Sequence, residues 1–160
     1  TFIYMPTSGI VQGMRPLMSY NYGAKLKERM HQILKVSGLV IAAILGAGTL
    51  LFFIVPNVLL SLFNASSGML EIGETGLRIL SLSFIVSSFG VLMSGVFEAL
   101  GLGKYSLIVS LLRQLLITVP LAYILLNIMG IEGIWLSFVI AEAIASIVAY
   151  ILYHKKFKTI

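Results

Sequence analysis

The sequence predicts an all-α fold: a polytopic membrane helix bundle with four full transmembrane helices plus the end of a fifth. Three observations lead there. Hydrophobic residues make up 59% of the 160 and charged residues 11%, against about 25% charged in an ordinary soluble domain. Mean hydropathy is +1.03. The apolar residues also fall in long runs, and about 20 of them suffice to cross ~30 Å of hydrocarbon.

The runs come in order. The chain opens inside apolar sequence, "TFIYM", without the basic start, short apolar run and cleavage site of a secretory signal. Thr1 to about Ser19 is therefore read as the end of a span belonging to a longer protein. Full runs follow at about Ile33–Phe63, Ile72–Leu100, Tyr105–Met129 and Ile134–Tyr153. The first two are long enough to require tilt or polar ends outside the hydrocarbon. Pro56 and Pro120 lie inside runs. Each removes an amide donor and crowds the carbonyl four residues back, that of Phe52 or Leu116. Membrane helices tolerate such breaks where neighbours or water satisfy the freed carbonyl.

Charge predicts the topology. Lys25, Lys27, Arg29 and Lys35 precede the first full run, Lys104 separates the second from the third, and Lys155, Lys156 and Lys158 follow the last. The loops "NASSGMLEIGE" and "NIMGIEG" carry Glu71, Glu74 and Glu132 and no basic residue. Basic and non-basic connections alternate, so the positive-inside rule puts the C-terminus and the segment after Tyr22 in the cytoplasm of a multi-pass cell-membrane protein. Arg78 is the dissenting charge. The net charge of +5 is divided among these ends, which points to orientation and away from a nucleic-acid partner.

Small residues mark where helices meet, because close van der Waals contact replaces hydrophobic drive in lipid. The stripes are Gly38, Ala42 and Gly46; Ser83, Ser87, Gly90 and Ser94; and Ser137, Ala141, Ala145 and Ala149. The serine stripe has two readings, a helix seam or the lining of a substrate passage. Ser87 and Ser94 are its pathway candidates.

No enzyme is expected. GxSxG, HExxH and phosphate-binding glycine loops are absent, cysteine is absent, and His31 and His154 sit in basic interfacial segments. No cofactor or metal follows from the residues. Ionisable groups within spans carry more information, since a charge at the bilayer centre costs about 2.5–3.5 kcal/mol even on insertion scales. Glu142 lies well inside the fourth run, on a face with Phe138, Ser146 and Ala149. It reads either as a cation or proton site or as a carboxyl bonded to a hydroxyl of the next helix. At ~1.5 Å per residue from the Gly103 turn, Glu98 is about 7 Å deep and Arg113 about 15 Å. These two are expected to form a structural ion pair.

The segment "GIVQGMRPLMSYNYGAK" resembles the end of the eighth helix of multidrug and toxic compound extrusion (MATE) transporters, bacterial branch. Gln12, Gly13, Pro16, Tyr20, Asn21, Tyr22, Gly23 and Ala24 match its Q-G-x-x-P-L/I-x-x-Y-N-Y-G-A core. Ala99, Leu100, Gly101, Gly103, Lys104, Ser110, Arg113, Gln114 and Pro120 match a following ALG-x-GK turn, S-x-x-RQ and proline. Gly130, Gly133, Ile134, Trp135, Ala141 and Glu142 match G-x-x-GIW-x-x-x-x-x-AE. The likeness covers nearly the whole chain, in order.

The resemblance implies twelve helices in two six-helix lobes, with residues 1–160 forming the end of helix 8 and helices 9–12 of the C-terminal lobe. It implies export of cationic and amphipathic compounds by alternating access, coupled to H+ or Na+, with a missing N-terminal lobe and membrane lipid as partners. The family places coupling carboxylates on helix 1, or on helices 7 and 10. Here helix 10 has serines and no acid before Glu98, which points to proton coupling through a carboxylate upstream. The alternatives are a lipid-linked saccharide flippase of the same superfamily and a non-transporting structural module.

The residues of the opening motif also have a local reading. Gly13 and Pro16 distort a helix end, Tyr20 and Tyr22 sit in an aromatic belt, and Asn21 and Gly23 stop the helix. Tyr20 is further a candidate for substrate contact.

Overall fold

The fifth, partial span is one continuous helix that carries its proline internally. In the computed structural model, which describes residues 3–62 and 67–157, α1 (Tyr4–Gly23) runs through Pro16. It ends where Leu26 N–H bonds the Asn21 carbonyl and Lys25 N–H bonds the Tyr22 carbonyl. That pair of bonds is a Schellman motif. Its left-handed position is Lys25, at φ 58°, two residues beyond Gly23. Asn21 contributes by donating Nδ2 to the Leu17 carbonyl at 2.8 Å.

α2 (Lys27–Ile54) ends because Pro56 cannot continue it. Val55 leaves the helical region at φ −123° and ψ 46°, and Pro56 becomes the first residue of the short α3 (Pro56–Ser61). This is the position where a missing amide costs least. The expected run end at Phe63, the Glu71 side chain and Lys158 fall outside the described residues. α4 (Ser67–Ala99) starts earlier than its apolar run, so Glu74 is helical rather than part of a loop. There it pairs with Arg78 at 2.7 Å. Arg78 also lies over the Phe53 ring, 5.8 Å from its centroid. The dissenting charge is thus locally neutralised.

α4 closes on a second Schellman motif. Leu102 N–H bonds the Phe97 carbonyl, Gly101 N–H bonds the Glu98 carbonyl, and Gly101 sits at φ 72°. The third run divides into α5 (Gly103–Leu111), a π-helical stretch at Leu112–Ile117 and α6 (Thr118–Met129). Gly130, at φ 71°, turns the chain into α7 (Ile131–Phe157). Four of these segments are long and apolar enough to cross a membrane: Lys27–Ile54, Gly68–Ala99, Gly103–Met129 and Ile131–Lys156.

The core runs from the end of the bundle that carries the basic turns to its middle. Met14 and Met18 of α1, Ile41 and Leu45 of α2, Phe97 of α4 and Val109 of α5 are almost fully buried. Leu39, Leu50, Ile128 and Ile147 point outward, as lipid-facing side chains do. Ser137, Ala141, Ala145 and Ala149 are buried along α7. Gly90 of α4 approaches Ser146, whose hydroxyl donates to the Val86 carbonyl at 3.0 Å. The α2 stripe differs from expectation. Gly38 touches Leu92, but Ala42 is exposed and Gly46 has open space beside it. The seam of α2 uses Ile41, Leu45, Gly48 and Thr49 instead. Thr49 spans it, its single hydroxyl proton shared between the Leu45 and Ser81 carbonyls.

Candidate functional site: two clefts that meet at Arg113

Away from that core the helices part. A cleft of about 770 Å³ is lined by Tyr4, Ser83, Phe84, Arg113, Phe138 and Glu142 among others. Its wall is mostly apolar and aromatic, with one carboxylate and one guanidinium. A smaller cleft of about 220 Å³ lies along α1 and α4, lined by Gln12, Arg15, Ser94, Glu98 and Arg113 among others. Val91 and Arg113 border both.

Glu142 reaches the wide cleft because α7 turns its buried alanine stripe toward α4 and leaves position 142 on the adjoining face. Its Oε1 is 3.7 Å from Nε of Arg113, with side-chain exposures of 16% and 21%. That is a long, single-contact pair, unlike the short bidentate geometry of a strong arginine–carboxylate bond. The second oxygen, Oε2, is buried and has no hydrogen-bond partner among the described residues. An unpartnered carboxylate oxygen in such a place has desolvation to recover from any donor or cation that reaches it.

Arg113 is positioned by an irregular backbone. Pro120 supplies no amide for the Leu116 carbonyl, and the helix widens into the π stretch one turn earlier. Thr118 stabilises that stretch by donating its hydroxyl to the Arg113 carbonyl while its amide bonds that of Leu115. Such π insertions concentrate at functional sites.

The expected Glu98–Arg113 ion pair is not what forms. Glu98 pairs with Arg15 of α1, and Arg113 pairs with Glu142. The physical reason is the lateral position of α1. It brings Arg15 directly against the end of α4, whereas the π stretch aims Arg113 toward α7. Ser106 of α5 donates to Glu98 Oε1 at 2.8 Å and shares a 2.6 Å hydroxyl contact with Ser94. Arg15 Nε is buried and has no hydrogen-bond partner among the described residues.

The other candidates divide. Ser94 borders the smaller cleft. Ser87 is fully buried in a seam, 2.9 Å from the Tyr4 hydroxyl, and donates to the Phe84 carbonyl. Tyr20 is 73% exposed and borders neither cleft. Gln12 borders the smaller one, Gly13 and Pro16 are exposed on α1, and Tyr22 packs on the core. Sequence reasoning missed Tyr4, Arg15 and Ser106 as site residues. A signal existed for Arg15, because Ser8, Val11, Gln12 and Arg15 share one helical face at i, i+3, i+4 and i+7.

With this geometry in place, comparison with known proteins decides the family. The MatE family profile matches residues 1–124. The chain belongs to the MatE family. This is a family of multidrug efflux transporters with membrane-spanning helices. Multidrug export protein MepA of Staphylococcus saprophyticus is 26% identical over 144 residues, 90% of this chain and 32% of that protein. The chain therefore spans about a third of the length of the curated relatives it matches. A solved inward-facing multidrug resistance MATE family transporter of the MOP superfamily superposes with a TM-score of 0.92 at 21% identity. That match covers 99% of this chain and 37% of the transporter. The MATE multidrug transporter DinF-BH, solved in complex with a ligand, has a TM-score of 0.87 at 31% identity, covering 96% and 34% respectively. The MatE resemblance read from the motifs is thus upheld, as is the all-α membrane bundle.

Proposed function

We propose that this chain is part of the C-terminal lobe of a secondary-active multidrug exporter: the end of helix 8 and helices 9–12. In this reading the whole protein exports cationic and amphipathic compounds by alternating access, in exchange for H+ or Na+. The observation that carries it is the wide cleft, whose apolar and aromatic wall holds the Glu142 carboxylate with one oxygen unpartnered. An apolar cation gains both burial and charge neutralisation there. Alternating access needs two bundles rocking about a midplane site, so the absent N-terminal lobe is the partner of the open face.

The test uses the full-length parent in drug-sensitive cells, with ethidium as a fluorescent apolar cation. Its accumulation falls several-fold when the parent is made, and the Glu142→Gln variant, present at equal amount in the membrane, loses that effect. Equal sensitivity to cationic compounds with and without the parent overturns export. Loss of envelope polysaccharide on deletion favours a lipid-linked saccharide flippase instead. Collapsing the proton gradient or removing Na+ separates the coupling ions. In the plasma membrane, cysteines placed at Gly130 label from outside, while those at Lys155 label only after permeabilisation.

A further inference from the structure

Two separate clefts bordered by one guanidinium raise a question that export alone does not answer. Among the described residues, the charged groups facing this region are Arg15 from α1, Glu98 from α4, Arg113 from the π stretch and Glu142 from α7; the Tyr4 phenol lies beside them. They form two arginines and two glutamates, formally neutral as a set. The two acids are held very differently. Glu98 has two anchored partners, Arg15 and Ser106, and remains 37% exposed, with further oxygen lone pairs available. Glu142 has a single 3.7 Å contact and one orphaned oxygen.

We infer that Arg113 is a counter-ion shared between the clefts: it holds Glu142 while that carboxylate carries its charge, and passes to Glu98 when the charge is neutralised. Neutralising Glu142 removes the attraction holding the guanidinium in the wide cleft. A guanidinium left without a carboxylate in a partly dry site is costly, and Glu98 is the other acid bordering the space it occupies. Empty volume on both sides of Arg113 leaves room for the passage. The π stretch supplies the backbone means, since relaxing one extra residue into α register turns a side chain by about 100°. Arg113 therefore reports the occupancy of the wide cleft to the α1–α4–α5 junction, where Glu98 ties three helices together.

This inference rests on the exporter reading for what neutralises Glu142, but its test does not depend on transport. In the structure of the full-length parent carrying Glu142→Gln, the Arg113 guanidinium lies within about 4 Å of the Glu98 carboxylate, the reach of an ion pair. Arg113 remaining at position 142, or turned to solvent, overturns the proposal. A stability cycle covers the case in which that variant yields no structure. Glu98→Gln raises the unfolding equilibrium constant of the full-length protein by a larger factor in the Glu142→Gln background than in the native one. The expected factor is roughly five or more, the lower range of coupling between sites. The excess disappears when Arg113→Gln is added. Additive effects in both backgrounds overturn the shared counter-ion. If Arg113 moves as stated while ethidium export is absent from the native protein, the exporter reading fails and the shared counter-ion stands.

Discussion

Arg15 of α1 and Glu98 of α4 form an ion pair, and Ser106 of α5 donates to the same carboxylate, so a single acid joins three helices at one end of the bundle. The two charged side chains are 41% and 37% exposed. Solvent screening therefore limits their contribution, and coupling of about 0.2–1 kcal/mol is expected. Exchanging the charges, with Arg15→Glu and Glu98→Arg together, restores stability lost in either single variant. Thermal unfolding of the four proteins in detergent measures this. A swap no better than the worse single variant would show that Ser106 or packing dominates.

Two glycines of the bundle respond in opposite ways to one added methyl. A Cβ at Gly133 runs into the backbone carbonyl of Leu125, which cannot move without displacing α6. Gly133→Ala is expected to cost about 1–3 kcal/mol, as overpacking does. Gly46 has nothing within 4 Å of the same position. Gly46→Ala is expected to gain up to about 1 kcal/mol through helix propensity. Denaturant titration of the two variants gives the sign of each.

The π stretch makes its own prediction. Pro120→Ala returns an amide donor to the Leu116 carbonyl and removes the ring that crowds it, so residues 112–117 relax toward α register. The helix becomes more stable while Arg113 turns away from Glu142. On the exporter reading proposed above, ethidium efflux by the full-length variant falls at least several-fold at unchanged expression. Efflux at the native rate with a regular helix in the variant's structure would show that the irregular backbone does not serve Arg113.

Lys25 occupies the left-handed position of a Schellman motif at φ 58°, a conformation costing a non-glycine residue about 1–2 kcal/mol. Lys25→Gly is expected to raise stability by up to about 1 kcal/mol, and Lys25→Val to lower it. Unfolding midpoints of the two variants provide the comparison. Equal midpoints would mean that the α1–α2 turn relaxes freely.

Much of the fold was legible because composition and run length report directly on solvent. A chain that cannot hydrate its surface must satisfy its backbone internally and span as helices. No contacts are needed for that, and four spans, both interruptions at Pro56 and Pro120, and the alanine stripe of α7 are legible in the chain alone. Sequence placed the helix stop near Gly23, and the left-handed residue proved to be Lys25. It could not distinguish a loop at Glu74 from a helix start, because an i, i+4 pair with Arg78 makes a polar segment helical.

The site was less legible, and the reason is geometric. Sequence identified Glu98, Arg113 and Glu142 as charges that must find partners within a membrane. It could not choose the partners, because pairing depends on which helices lie side by side and how each is rotated. The lateral placement of α1 brought Arg15 to Glu98, and one π turn redirected Arg113 to Glu142. The sequence by itself determined that this is a membrane bundle with costly charges inside it. Tertiary structure alone decided which charge answers which, since Coulomb attraction falls with a distance that only packing sets.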